Sequence, residues 1–145
     1  MSVSQANALP VALVVDDEAL LRMYASNLLE EEGFAVLAAD DAEAALIILE
    51  ARPDVRLLFT DIQMPGGCDG MDLARKVHAR WPNVLLVITS GNEKPSPAEI
   101  PDDGRFIAKP YKAEELFVQV EDLMQKHSYD GETPPAGEGD CLFEI

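Results

Sequence analysis

The chain first becomes strongly apolar at Val11-Ala-Leu-Val-Val15, and this run ends directly at Asp16-Asp17. Three later runs have the same form: Leu57-Leu-Phe59 precedes Thr60-Asp61, Val84-Leu-Leu-Val-Ile88 precedes Thr89, and Phe106-Ile-Ala108 precedes Lys109. Short continuous apolar runs are typical of buried parallel strands. Open parallel sheets bind their ligands beyond the carboxyl ends of the strands. We therefore expect three carboxylates, a hydroxyl and an ammonium in one pocket, which would suit a divalent metal and a phosphoryl group.

Segments with helical spacing of apolar residues alternate with these runs. They predict four helices. Three cover Glu18–Glu32, Gly70–Trp81 and Lys112–Lys126, and the other begins after an N-cap at Asp40 or Asp41. The predicted strands are Val11–Val15, Ala35–Ala39, Arg56–Thr60, Val84–Ile88 and Arg105–Ala108. Residues 90–101 contain three prolines and little periodicity, so we expect the fourth helix to be short or irregular. The order predicts an α/β fold, a doubly wound (βα)5 parallel sheet in which strands one, three, four and five are central.

Length and composition limit the class of protein. With 145 residues, 48% of them apolar, the chain can bury one ordinary core. We expect this domain at residues 10–127, a flexible N-terminus at 1–9, and a disordered acidic tail rich in Pro and Gly at 128–145. The net charge of −16 argues against direct binding to nucleic acid. No apolar stretch approaches the length of a membrane span, and residues 1–10 have neither the basic start nor the apolar centre of a signal peptide. We therefore expect a cytoplasmic protein without membrane insertion.

The clustered side chains indicate phosphoryl chemistry. Three carboxylates repel one another unless a cation joins them, and Mg²⁺ prefers such oxygen ligands; Asp16, Asp17 and Asp61 can supply part of its octahedron. Asp61 is the best candidate nucleophile because its carboxylate can attack phosphorus to give an acyl phosphate. Lys109 and the hydroxyl of Thr89 can bind phosphoryl oxygens.

Each residue also has a structural explanation. The acidic pair could cap a helix, Asp61 could be a turn residue, and Thr89 could be a capping hydroxyl. Phe106, at a strand end, could simply pack in the core. Only their shared position after apolar strands favours function.

Four motifs together resemble the receiver domain of two-component response regulators. They are Asp16-Asp17, Thr60-Asp61-Ile-Gln-Met-Pro-Gly66, Thr89-Ser90 and Phe106-Ile-Ala-Lys109-Pro110, spread over about residues 10–127. The resemblance implies a flavodoxin-like strand order 2-1-3-4-5. It also implies that Asp61 accepts phosphate from a sensor histidine kinase or a histidine phosphotransfer protein.

The same resemblance assigns the other site residues. Asp16, Asp17, Asp61 and the backbone carbonyl of Gln63 would bind Mg²⁺. Thr89 and Lys109 would contact the phosphoryl group, and the Lys109–Pro110 bond would be cis. Phe106 would be the aromatic switch that follows Thr89.

The sequence is compatible with several functions. The leading one is a signalling module that catalyses only its own phosphorylation and dephosphorylation, with an unidentified downstream protein as output. A phosphate shuttle or sink is an alternative, and Gly91 and Gln63 leave the lifetime of the phosphorylated form open. A Mg²⁺-dependent aspartyl-phosphate phosphohydrolase would need a second acid at the position of Gln63. A flavodoxin-like mononucleotide binder would need a phosphate loop after the first strand, which the sequence lacks.

Overall fold

Five parallel strands form the centre of the protein. They are β1 (Val11–Val15), β2 (Ala35–Ala39), β3 (Val55–Asp61), β4 (Leu85–Ser90) and β5 (Arg105–Ala108). Their order in the sheet is β2-β1-β3-β4-β5. The helices are α1 (Ala19–Glu31), α2 (Ala42–Ala51), α3 (Gly70–Arg80) and α4 (Ala113–Glu132). The computed structural model describes residues 9–64, 69–91, 100 and 104–132, with residues 127–132 as backbone alone. The predicted α/β class and the strand order are confirmed.

Helices cover both faces of the sheet, which explains why its strands are apolar throughout. Val11, Leu13 and Val15 of β1 pack into a core layer with α2 and α3. Ala12 and Val14 point to the opposite face and pack with α1 and α4. Successive side chains of a strand alternate between faces, so a strand buried on both sides must be apolar at every position.

Acidic residues cap the start of two helices, and a glycine follows the end of a third. Asp41 is the N-cap of α2, and its carboxylate accepts from the backbone N–H of Ala44 at 2.8 Å. Asp69 and Asp72 form a reciprocal capping box at the start of α3. Gly33 has a φ of +106°, which favours glycine and turns the chain from α1 into β2. Of the two caps predicted for α2, Asp40 and Asp41, the structure has Asp41, and the predicted stop at Gly33 is confirmed.

Three elements extend beyond their predicted carboxyl ends. β3 and β4 run past their apolar residues to Asp61 and Ser90, because pairing of backbone groups in the sheet does not require apolar side chains. The register pairs Asp61 with Thr89 on the neighbouring strand. α4 continues to Glu132, six residues beyond the predicted end, so the predicted tail boundary at 128 falls within a helix. Helix growth adds one backbone hydrogen bond per residue and can outweigh weak local propensity.

The edges of the sheet are β2 and β5, so the expectation that strand five is central is wrong. Only Ile107 of β5 is fully buried, which agrees with an edge position. The predicted irregular helix at residues 90–101 falls largely outside the described residues, as do positions 1–8 and 133–145. None of the helices in the described ranges has the length and apolar character needed to cross a membrane.

Candidate functional site

The predicted polar residues converge at the carboxyl edge of the sheet. Asp16 follows β1, Asp61 is the last residue of β3, Thr89 lies in β4 and Lys109 follows β5. Because these strands are parallel and adjacent, their carboxyl ends meet at one edge.

Three carboxylates form the centre of the site. Asp16, Asp17 and Asp61 each offer an oxygen, and these atoms lie within 4.8 Å of one another. Asp16 and Asp61 are buried, whereas Asp17 is exposed at the mouth of the site. The cluster thus has a buried floor and one acid in contact with solvent.

Lys109 bridges the two buried acids. Its Nζ lies 3.4 Å from Oδ2 of Asp16 and 3.3 Å from Oδ2 of Asp61, and the Lys109 side chain is 17% exposed. The backbone N–H of Lys109 donates to the carbonyl of Ser90 at 3.0 Å. The following bond to Pro110 is cis, as predicted. A single ammonium therefore offsets part of the charge of three carboxylates.

The environment of Asp61 opposes its ionisation. Burial raises the pKa of the Asp61 carboxyl above its ordinary value, and the nearby Asp16 carboxylate adds to the rise. Lys109 and the backbone N–H of Gln63 act in the opposite direction. Since the ionised carboxylate is the nucleophilic form, a further cation beside Asp61 would favour it.

The hydroxyl of Thr89 is buried next to Asp61. Thr89 is 2% exposed, and its Oγ1 has no hydrogen-bond partner among the described residues. A buried hydroxyl without a partner carries a free-energy cost, so it points to a ligand oxygen that would fill this position.

A polar cleft of about 460 Å³ opens over the cluster. Asp17, Asp61, Gln63, Gly91 and Lys109 line it together with Glu18, Leu21 and Met64. Among the described residues, a Cβ added at Gly91 would meet only Cβ of Lys109, at 3.8 Å, so these residues leave room for a small side chain there. The cleft can admit a small phosphorylated group and water.

Phe106 lies apart from this cleft. It is partly buried against the core layer that contains α2 and α3. It also lines a groove of about 390 Å³ between β5 and α4 with Ala108, Val118 and Gln119, among others. The structure places this aromatic residue two strands away from Asp61 in the sheet, beside an open surface.

Two residues close to the site escaped sequence reasoning. The backbone N–H of Gly70 donates to the carbonyl of Ile62 at 2.7 Å, and a Cβ on Gly70 would overlap the carbonyl of Asp61. Arg22 of α1 donates from Nη1 to the carbonyl of Asp16 at 2.7 Å. The only sequence signal for Gly70 is its place after the capping residue Asp69, and the signal for Arg22 is its spacing after the acidic pair.

The donor set fits a magnesium ion. An octahedral magnesium ion takes oxygen ligands at about 2.0–2.1 Å, which puts ligands on opposite sides about 4.2 Å apart. The three carboxylate oxygens, already within 4.8 Å, need only a small inward movement to reach this geometry.

The family model of the response regulator receiver domain matches residues 12–121. The chain belongs to this family. The match spans β1 to the middle of α4 and therefore includes every residue of the cluster. As a receiver domain, the chain has the acidic cluster at the expected edge of the sheet.

Individual relatives agree with this assignment. The transcriptional regulatory protein ResD of Bacillus subtilis is 31% identical over 119 residues, which cover 80% of this chain and 48% of ResD. The receiver domain of NtrX from Brucella abortus is 32% identical with a TM-score of 0.71, covering 79% of this chain and 98% of that domain. A receiver domain protein from Clostridium thermocellum, 24% identical, has the same fold with a TM-score of 0.76 over 83% of this chain and 98% of its own. The chain spans about half the length of ResD.

Proposed function

We propose that the protein is the phosphoacceptor of a histidine-to-aspartate phosphorelay. Asp61 would accept a phosphoryl group from a sensor histidine kinase or a histidine phosphotransfer protein. The observation that supports this most is the contact of Asp61 with Lys109 inside a cluster of three carboxylates, at the edge where open parallel sheets bind ligands. Such a donor would place the protein in the cytoplasm.

Asp61 is the acid best placed to attack phosphorus. It lies at the end of β3, it lines the cleft, and its backbone is fixed by pairing with β4. Attack by a carboxylate oxygen forms an acyl phosphate and breaks the bond between phosphorus and the nitrogen of the donor histidine.

Asp16, Asp17, Asp61 and the backbone carbonyl of Gln63 are the proposed magnesium ligands. The bound ion would offset negative charge on the phosphoryl oxygens during transfer. Asp16 and Asp61 are held by Lys109, whereas Asp17 faces solvent and can meet an arriving ion first.

Thr89 and Lys109 are proposed to bind the transferred group. Lys109 supplies an ammonium already 3.3 Å from the Asp61 carboxylate. Thr89 supplies a buried hydroxyl that lacks a partner among the described residues. Both are donors, and donors aimed at developing negative charge stabilise the transition state.

The proposed output is a change in a protein-binding surface near Phe106. Thr89 pairs in the sheet with Ile107 of the adjacent strand β5. A movement of Thr89 can therefore displace Phe106, the residue before Ile107. The groove beside Phe106 is also lined by Val118, an apolar side chain that is 64% exposed. A protein is the proposed partner because the net charge of −16 repels nucleic acid.

Self-phosphorylation and self-dephosphorylation are the only reactions proposed. Gln63 carries an amide where a phosphohydrolase would need its second acid, so the described part of the cleft does not favour turnover of external phosphomonoesters. A shuttle or sink role would use the same acyl phosphate and differ only in the protein that receives it.

The test is phosphorylation by acetyl phosphate, with and without Mg²⁺, followed on a phosphate-affinity gel. The native chain and Asp54→Asn should both give a shifted band that depends on Mg²⁺. Asp54 is the matched control because it is an exposed acid paired with Arg52. Asp61→Asn should give none. A shifted band in Asp61→Asn equal to that of the native chain would refute the assignment, and release of phosphate from p-nitrophenyl phosphate would favour a hydrolase.

A further inference from the structure

Arg22 of α1 contacts the backbone of Asp16 and forms no ion pair with the carboxylates of Asp16 and Asp17. Its Nη1 donates to the carbonyl oxygen of Asp16 at 2.7 Å, and the residue is half-buried. Within the ranges that the structure describes, Arg22 forms no ion pair. A hydrogen bond with a charged donor is shorter and stronger than a neutral one, so this contact holds the carbonyl firmly.

Asp17 is the carboxylate that most needs this support. The side chain of Asp16 accepts from the backbone N–H of Glu18 at 2.9 Å and contacts Lys109, and Asp61 also contacts Lys109. The carboxylate of Asp17 has no hydrogen bond or ion pair with another described residue. Its direction therefore depends on the peptide that precedes it, and the carbonyl of that peptide is the one that Arg22 holds.

We infer that Arg22 is a positioning residue for magnesium binding, because its hydrogen bond to the Asp16 carbonyl fixes the Asp16–Asp17 peptide and aims the Asp17 carboxylate at the ion. The inference rests on the magnesium site of the proposed function. Groups that orient metal ligands typically contribute about 10- to 100-fold to metal affinity.

The positive charge of Arg22 has the opposite effect on affinity. A guanidinium near the site repels a divalent cation, so removal of charge alone would tighten magnesium binding. Loss of positioning would weaken it. The direction of the change in affinity thus separates the two effects.

The experiment is a calorimetric titration of the full chain with Mg²⁺ in four forms: native, Arg22→Met, Arg22→Lys and Arg75→Met. We expect Arg22→Met to weaken binding by about 10- to 100-fold. Arg22→Lys should recover part of the loss, since its ammonium keeps the charge and can donate to the same carbonyl. Arg75→Met, which removes an exposed arginine paired with Asp72 on α3, should bind as the native chain does.

Two further measurements separate positioning from a general loss of structure. In magnesium-free protein, the amide of Glu18 should exchange its hydrogen faster in Arg22→Met, because that amide donates to Asp16. In an Asp17→Asn background, Arg22→Met should change the magnesium affinity by less than about twofold, since the ligand it positions is gone.

The outcomes distinguish the inference from the proposed function. Equal or tighter binding by Arg22→Met would overturn the inference and leave the magnesium site standing. An undiminished effect of Arg22→Met in the Asp17→Asn background would also overturn it. A native chain that binds no magnesium would overturn the metal site itself, and the inference with it.

Discussion

Replacement of Gly70 by alanine should destabilise the protein and displace its proposed phosphoacceptor. Gly70 begins α3, and a Cβ at this position would overlap the carbonyl oxygen of Asp61. This Cβ would also lie 2.7 Å from the carbonyl carbon of Asp61 and 2.8 Å from Cα of Ile62. All these neighbours are backbone atoms, so no side chain can rotate away. Carbon atoms pack at about 3.5–4.0 Å, so relief requires a backbone shift of about 1 Å.

The expected magnitude follows from three contributions. Forced overpacking costs about 1–3 kcal/mol. The hydrogen bond from Gly70 to the carbonyl of Ile62, 2.7 Å long, would be lost or stretched at about 1 kcal/mol. The higher helix propensity of alanine returns at most about 1 kcal/mol. We expect a net loss of about 1–3 kcal/mol in the free energy of unfolding.

Urea denaturation gives the stability, and the rate of phosphorylation by acetyl phosphate gives the functional effect. A misplacement of about 1 Å can slow a positioned reaction by about 100-fold. Gly91→Ala is the matched control for stability, since among the described residues its Cβ would meet only Cβ of Lys109, at 3.8 Å. If Gly70→Ala unfolds within 0.5 kcal/mol of the native chain and is phosphorylated at the native rate, the close-approach argument is refuted.

Three other perturbations have defined outcomes. Burial and a hydrogen bond with Glu121 raise the pKa of Glu32 to about 7, so the free energy of unfolding should fall as pH rises from about 4.5 to 7. In urea denaturation, Glu32→Gln should flatten this dependence on pH. The control Glu31→Gln should not. Lys109→Met should cost the magnesium-free protein roughly 2 kcal/mol in urea melts, because it leaves buried carboxylates unpaired, and added Mg²⁺ should restore most of it. Leu57→Ala should cost about 2–5 kcal/mol by the same measurement, since Leu57 is fully buried in the sheet.

The sequence was sufficient to locate the strands and the acids at their carboxyl ends. Continuous apolar runs with polar residues directly after them define buried parallel strands, and parallel strands bring their carboxyl ends together. Asp16, Asp61 and Lys109 therefore lie where the residues alone predicted. The strand order and the cis bond before Pro110 came from the resemblance to a family and were then found in the structure.

The contacts of Arg22 and Gly70 that the sequence did not predict are contacts with backbone atoms. Arg22 acts on a carbonyl and Gly70 is constrained by a carbonyl, and an amino-acid pattern carries no information on which carbonyl a residue will meet. The length of α4 also escaped prediction, because propagation of backbone hydrogen bonds outweighs the weak preferences of residues after Lys126. The predicted central position of strand five was wrong for a different reason. The short apolar run Phe106-Ile-Ala108 is compatible with either an edge strand or a central strand.

The most direct test of the central claim is to locate the phosphoryl group itself. Protein treated with acetyl phosphate and Mg²⁺ is reduced with borohydride, which converts an aspartyl phosphate to homoserine, and is then sequenced by mass spectrometry. We expect homoserine at position 61 alone, and none when Mg²⁺ is removed with a chelator. Homoserine at another acid, or the same yield at position 61 without magnesium, would contradict it.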